Sequence, residues 1–137
     1  MATKMSGKMS QIARLARLSD PSGETVTDYE FNVLLLEAID EALSSLGESA
    51  KKVIYRHLEE KFMIEKGQIP FKIEEFSDAL EDIFGMGAKI IELQIMKNIY
   101  KKIGGNFRYS PKDGNLLFNA YLRAVKRHFI KKQKKTR

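Results

Sequence analysis

Hydrophobic positions recur at steps of three and four residues along most of this chain, a spacing that predicts α-helices rather than strands. The clearest run follows Thr27 and Glu30, which have the spacing of a helix-capping box, and it ends before Gly47. Its apolar positions are Phe31, Leu34, Leu35, Ala38, Ile39, Ala42, Leu43 and Leu46. The pattern predicts a first amphipathic helix over about residues 27–46.

Three further helices are predicted before the chain reaches Gly104 and Gly105. The second runs from about Ser49 to Phe62, the third covers about 73–84, and the fourth begins at Ala88 after a glycine turn. Apolar residues cover most of the circumference of the fourth helix, which predicts that it is the central and most buried element. They are Ile90, Ile91, Leu93, Ile95, Met96, Ile99, Tyr100 and Ile103.

The fold class expected is all-α: a compact bundle of about four helices plus a basic C-terminal helix and flexible tails. Residues 1–26 are expected to be a flexible basic tail, and 27–104 a helical core. Residues 105–137 are expected to hold a loop or short strand, an amphipathic helix over 115–132 and a frayed end. We expect residues 28–104 to form a self-sufficient core that buries Leu34, Ile39, Leu58, Phe76, Leu80, Ile91, Ile95 and Ile99.

The composition limits the classes of protein to which this chain can belong. The absence of cysteine excludes disulfide frameworks and thiolate metal sites. No segment approaches the ~20 apolar residues of a membrane span, and the N-terminus lacks the apolar region of a secretory signal. We therefore expect a cytoplasmic protein, although a transit peptide is an alternative interpretation of the N-terminal Arg, Lys and Ser residues.

The net charge of +6 is distributed very unevenly along the chain. Residues 21–50 contain seven acidic residues and no basic one. Residues 105–137 contain ten Lys or Arg residues, and Asp113 is their only acidic residue. The sequence therefore combines an acidic or near-neutral body with a concentrated cationic end.

Residues capable of catalysis or metal binding do not form a recognisable site in the sequence. His57 and His128 are the only histidines, and neither has a partner at ligand spacing. We expect His57 to be a half-buried packing residue and His128 to contact a polyanion. The turn formed by Gly85, Met86 and Gly87 does not have the phosphate-loop pattern, so we assign it to structure. Non-enzymatic function without cofactor or metal is therefore expected.

Other acidic and helical motifs also favour structural roles. The pairs Glu59-Glu60, Glu74-Glu75 and Glu81-Asp82 lie on helices, where adjacent residues point in different directions, so they are expected to be solvated. The third and fourth helices superficially resemble a helix-turn-helix. The would-be recognition helix has too few polar side chains to read base edges, so we reject that motif.

The basic C-terminal helix is the one segment with a positive functional interpretation. Positions 123, 126, 127 and 131 fall at helical steps of three and four, so they can form one cationic strip. Interleaved aromatic residues (Tyr109, Phe118, Tyr121 and Phe129) would allow stacking on bases. The nucleic-acid-binding residues predicted are Arg123, Lys126, Arg127, Lys131, Lys132, Lys134 and Lys135. A solvated helix with a solubilising tail and a helix lying on an anionic membrane are the alternatives.

A set of packing and turn residues resembles a small archaeal helical family. The matching residues are Tyr55 to Phe62, Ile69-Pro70, Phe76, Leu80, Ile83 to Gly85, Gly87 to Lys89 and Ile99-Tyr100. That family is an output domain named after the genus Nitrosopumilus, found alone or beside signalling modules. The resemblance covers about residues 30–104, and it implies an archaeal regulatory or interaction domain without transferring any catalytic residue.

Together these features predict a non-enzymatic regulatory module that binds nucleic acid, either DNA or structured RNA such as that of the ribosome, through its basic C-terminal helix. The main alternative is a protein-interaction adaptor or signalling output domain. Such an adaptor could be a homodimer formed through apolar surface on the first or fourth helix.

Overall fold

A computed structural model describes residues 25–104 and 118–136, with side chains through Gln133. The described residues form five α-helices and no strand, which confirms the all-α class. The helices are α1 (Val26–Ser44), α2 (Glu48–Phe62), α3 (Ile73–Phe84), α4 (Ala88–Ile103) and α5 (Phe118–Thr136). Two 3₁₀ segments, Lys66–Phe71 and Gly85–Gly87, connect α2 to α3 and α3 to α4.

Helix α1 begins with a capping box, but not the one that the sequence predicted. The Oγ1 of Thr25 accepts a hydrogen bond from the backbone N–H of Asp28 at 3.1 Å, and Asp28 Oδ2 accepts one from the backbone N–H of Thr25 at 3.0 Å. The predicted box of Thr27 and Glu30 is therefore wrong by two residues. Both pairs have the same spacing, and an aspartate at the third helical position can complete the box as a glutamate does.

The core lies where α1 and α4 pack together, and the remaining helices cover it. Seven of the eight residues predicted to be buried are buried, and Ile39, Leu58, Phe76, Leu80, Ile95 and Ile99 are fully enclosed. Leu34 is the exception, because it is only partly buried at the edge of the core. Helix α5 also belongs to this core, since Phe118, Leu122, Val125 and Phe129 lie in the same cluster of buried residues.

Helix α4 was predicted to be the central and most buried element, but one of its apolar sides is exposed. Ile91, Ile95, Met96, Ile99 and Ile103 face the core, whereas Ile90, Leu93 and Tyr100 are exposed on the opposite side. Helix α4 therefore buries only one of its two apolar sides. The central position belongs to α1 and α4 together.

The C-terminal helix continues further than expected. Helical backbone extends to Thr136, four residues beyond the predicted end of the helix at residue 132. Residues 1–24, the predicted loop or strand at 106–114 and the predicted helix start at 115–117 lie outside the described residues. None of the helices in the described part of the chain is long and apolar enough to span a membrane.

Candidate nucleic-acid interface

One side of α5 attaches the helix to the body of the protein. Val125 is fully enclosed, Phe129 lies 5.8 Å from the ring of Phe31, and Phe118 lies 6.5 Å from the ring of Phe76, measured between ring centroids. Aromatic pairs at such distances add to the stabilisation that burial provides. Phe118 and Phe129 are therefore core residues, and the predicted stacking of these two rings on bases is wrong.

The opposite side of α5 presents three cations in one line. Arg123, Arg127 and Lys131 follow one another at steps of four residues, and all three are exposed. Successive members are separated by a helical rise of about 6 Å, so the line is about 12 Å long. None of the three forms an ion pair with a described residue. We call Arg123, Arg127 and Lys131 the cationic strip.

Lys126 was predicted to belong to this strip, but it points towards α1 instead. Its Nζ lies 3.3 Å from Oδ1 of Asp28, the residue that completes the α1 capping box. Burial alone would raise the pKa of Asp28, but hydrogen bonds from Thr25 and the charge of Lys126 lower it below its usual value. Lys126 therefore helps to hold α5 on the start of α1.

Lys132 also contacts the body of the protein. Its Nζ donates a hydrogen bond to the backbone carbonyl of Ile103, 3.4 Å away, at the C-terminal end of α4. A cation at this position compensates the partial negative charge of the helix end. Lys134 and Lys135 lie on helical backbone, and their side chains are outside the described part of the structure.

Most of the acidic side chains of α1 are paired with cations from other elements. The Nζ of Lys102 in α4 lies 3.0 Å from Oε2 of Glu41 and 3.4 Å from Oε2 of Glu37. The Nζ of Lys51 in α2 lies 3.4 Å from Oδ2 of Asp40. The Nζ of Lys66 in the 3₁₀ segment lies 3.1 Å from Oδ1 of the same aspartate. Together with Lys126, these lysines bring one cation to α1 from each of four other elements, so Asp28, Glu37, Asp40 and Glu41 all have cationic partners.

A separate acidic surface lies on α3. Glu74, Glu75, Asp78 and Glu81 are exposed and form no ion pair with any described residue. Arg123 lies between two shallow grooves, of about 340 and 510 Å³, and the walls of these grooves include Glu74, Glu75 and Glu81. The same walls include Lys72, Lys89 and Lys126, so the charges around Arg123 are mixed, whereas Arg127 and Lys131 line neither groove.

The two histidines lie in different surroundings in the described part of the chain. His57 is half-buried, as predicted, and its Nε2 lies 3.1 Å from Oδ2 of Asp82, which also accepts a hydrogen bond from Lys61 at 2.7 Å. His128 is half-buried rather than on the exposed side of α5. No three His, Asp or Glu side chains converge in a metal-binding arrangement among residues 25–104 and 118–133.

Periodicity did not distinguish the exposed from the buried side of α4. Ile90, Leu93 and Tyr100 lie on one line along the helix, and Ile91, Ile95 and Ile99 lie on another. Both lines satisfy helical spacing, so only the packing of α1 against the second line decides which is buried.

The fold and the charge distribution together define a small all-α protein with an amphipathic cationic helix packed on its core. Comparison with protein families, with curated proteins and with solved structures gave no match.

Proposed function

We propose that this chain is a cytoplasmic, non-enzymatic regulatory module that binds nucleic acid, DNA or structured RNA, through the cationic strip of α5. The supporting observation is that Arg123, Arg127 and Lys131 are aligned, exposed and free of ion pairs with the described residues. Cations in such a line contact phosphates, which gives affinity without sequence selection. The resemblance to the archaeal output-domain family is compatible with a regulatory role.

The strip contacts phosphates rather than bases in this proposal. Phe118 and Phe129 are buried, so they do not offer an exposed ring for base stacking. A rigid helix held on the core by four apolar side chains presents its cations without further ordering of the backbone, which reduces the entropic cost of binding. Binding is therefore expected to be about equal across sequences and strongly salt-dependent.

The test compares two pairs of substitutions that remove the same charge. Arg127→Gln with Lys131→Gln removes two members of the strip. Lys52→Gln with Arg56→Gln removes one Lys and one Arg, also four residues apart and exposed, from α2. Binding to a generic DNA duplex and to a structured RNA is measured by fluorescence anisotropy over a series of salt concentrations.

The α5 pair is expected to reduce the slope of log K against log salt by up to about 2 units, since each phosphate contact contributes about 0.9. The α2 pair is expected to leave the slope unchanged. Equal effects of the two pairs would mean that net charge alone causes binding. Absence of parental binding at physiological salt would exclude nucleic acid and leave the adaptor as the function.

A further inference from the structure

The outward side of α4 and the turn before it expose a line of large apolar side chains. The exposed fractions are 92% for Met86, 73% for Ile90, 46% for Leu93 and 41% for Tyr100. Positions 86, 90, 93, 97 and 100 alternate steps of four and three, which is the spacing of a helix-packing seam. Lys97 occupies the remaining position. We call these five residues the α4 seam.

Single exposed apolar residues are common on protein surfaces, but an aligned series on one helix is typical of an interaction site. Helix α1 does not offer a comparable surface. Val26 is its only strongly exposed large apolar residue, and the others pack into the core or against it. Of the two helices considered for self-association on sequence grounds, only α4 therefore has the required surface.

The exposed charges that α4 itself carries beside the α4 seam are all positive. Lys89, Lys97 and Lys101 are exposed on α4 and form no ion pair with a described residue. The only acidic residue of α4, Glu92, is half-buried, and its Oε2 accepts a hydrogen bond from Ser77 at 2.5 Å. The seam is thus an apolar line flanked by the cations of α4, and Glu81 of α3 is an acidic residue in the groove that Leu93 and Lys89 line.

These charges distinguish between the possible occupants of the seam. If two α4 helices paired through their seams, the three lysines of one copy would lie beside the three lysines of the other. Helix α4 has no exposed acidic residue to compensate these charges. Like charges at such positions oppose association. The N-terminal segment 1–20 of this chain carries four basic residues and one acidic residue, so it is repelled as well. The acidic side of α3 in a second copy lacks exposed large apolar side chains.

We propose that the α4 seam docks an acidic amphipathic helix of another protein. Such a helix would place its apolar side chains on Ile90, Leu93 and Tyr100 and its Asp or Glu residues beside Lys89, Lys97 and Lys101. Anchor residues of one helix packed along the surface of another provide the affinity, and the flanking charges select the partner. This proposal does not rest on nucleic-acid binding, since the two surfaces lie on different helices.

The test uses the full chain and three labelled synthetic peptides. The first is an amphipathic helix with Leu at the seam positions, Glu beside them and Ala elsewhere. The second has the same composition in scrambled order, and the third has Lys in place of Glu. Fluorescence anisotropy is expected to show that the first peptide binds about tenfold more tightly, or better, than either of the others.

Variants of the protein then locate the binding surface. Ile90→Ser with Leu93→Ser is expected to weaken binding of the acidic amphipathic peptide by about tenfold or more, because both anchors are lost. The matched control, Val53→Ser with Met63→Ser, removes two apolar side chains that are 61% and 74% exposed and do not belong to α4. It is expected to bind the peptide as the parent does. Circular dichroism of each variant checks that the helices remain folded.

Several outcomes would overturn the proposal. Equal binding of the ordered and scrambled acidic peptides would show attraction by charge alone. A dimer of the parent, detected by sedimentation and dissolved by Ile90→Ser with Leu93→Ser, would make a second copy the occupant. Loss of DNA or RNA binding in the seam variant would assign the seam to nucleic acid, whereas unchanged nucleic-acid binding with lost peptide binding supports separate sites.

Discussion

At Gly85 the backbone has φ 58° and ψ −128°, a conformation that residues with a Cβ rarely adopt. Gly87, two residues later, has φ −65° and ψ −17°, which any residue adopts. A Cβ at Gly87 would meet the Cβ of Phe84 at 3.7 Å, an ordinary contact. The requirement for glycine in this turn therefore belongs to Gly85.

These two glycines allow a matched substitution at the residue scale. Gly85→Ala is expected to reduce the free energy of unfolding by about 1–3 kcal/mol, because the new side chain strains the backbone. Gly87→Ala is expected to be neutral or to stabilise by up to about 1 kcal/mol, since it restricts the unfolded chain without strain. Urea denaturation of both variants measures the difference, and equal effects would contradict the assigned backbone conformations.

At the scale of the element, one side of α4 packs in the core and the other side is exposed and available for a partner. Ile95 is fully enclosed, whereas Ile90 on the same helix is 73% exposed. Ile95→Ala is expected to cost about 2–5 kcal/mol of stability through lost burial and a residual cavity. Ile90→Ala is expected to change stability by at most about 0.5 kcal/mol. Thermal or urea unfolding checks this pair, and a large loss for Ile90→Ala would mean that a partner surface already covers it.

The first and last residues of a helix were predictable where nearby glycines interrupt the apolar repeat. The limits of α3 and the start of α4 were predicted to the residue, because Gly85 and Gly87 interrupt the apolar repeat between them. The start of α1 was displaced because two Thr residues offered similar capping boxes. The exposure of Ile90 could not be predicted, since it depends on which side of α4 packs against α1.

The candidate site was predictable only as far as it is local. The spacing along α5 predicted Arg123, Arg127 and Lys131 as neighbours, and the structure places them on one line. The spacing along α5 could not show that Lys126 pairs with Asp28, because these two residues are far apart in sequence and meet only when α5 packs on α1. A variant without the Lys126 charge could lose nucleic-acid binding either because a phosphate contact is missing or because α5 packs less well on α1. Lys126 is therefore not substituted in the binding test.

At the scale of the whole molecule, α1 is the point where charges from the other elements converge. Asp40 accepts hydrogen bonds from Tyr55 at 2.9 Å and from Lys66 at 3.1 Å, and Lys51 lies 3.4 Å away. Burial alone would raise the pKa of Asp40, but the hydrogen bonds from Lys66 and Tyr55 and the charges of Lys66 and Lys51 lower it overall. The acidic segment thus ties α2 and the 3₁₀ segment to α1.

This arrangement predicts how stability depends on pH. A carboxylate whose pKa is lower in the folded than in the unfolded state stabilises the fold above its unfolded pKa, and this contribution is lost as the pH falls through the folded pKa. Asp40→Asn is therefore expected to be less stable than the parent at pH 7. The difference should begin to shrink as the pH falls through about 4, the ordinary pKa range of an aspartate, because Asp40 is protonated first in the unfolded chain. It should disappear only when the pH has also fallen through the lowered pKa of Asp40 in the folded parent.

Urea denaturation at pH 7, 5 and 3.5 measures this difference, and Asp78→Asn provides the control. Asp78 is exposed on α3 and forms no ion pair with a described residue, so its substitution is expected to have little effect at any of these pH values. The contribution of Asp40 comes from three partners on two elements, so it should exceed that of an isolated surface pair. A difference between the parent and Asp40→Asn that does not change with pH would mean that the carboxylate charge is not what holds these elements on α1.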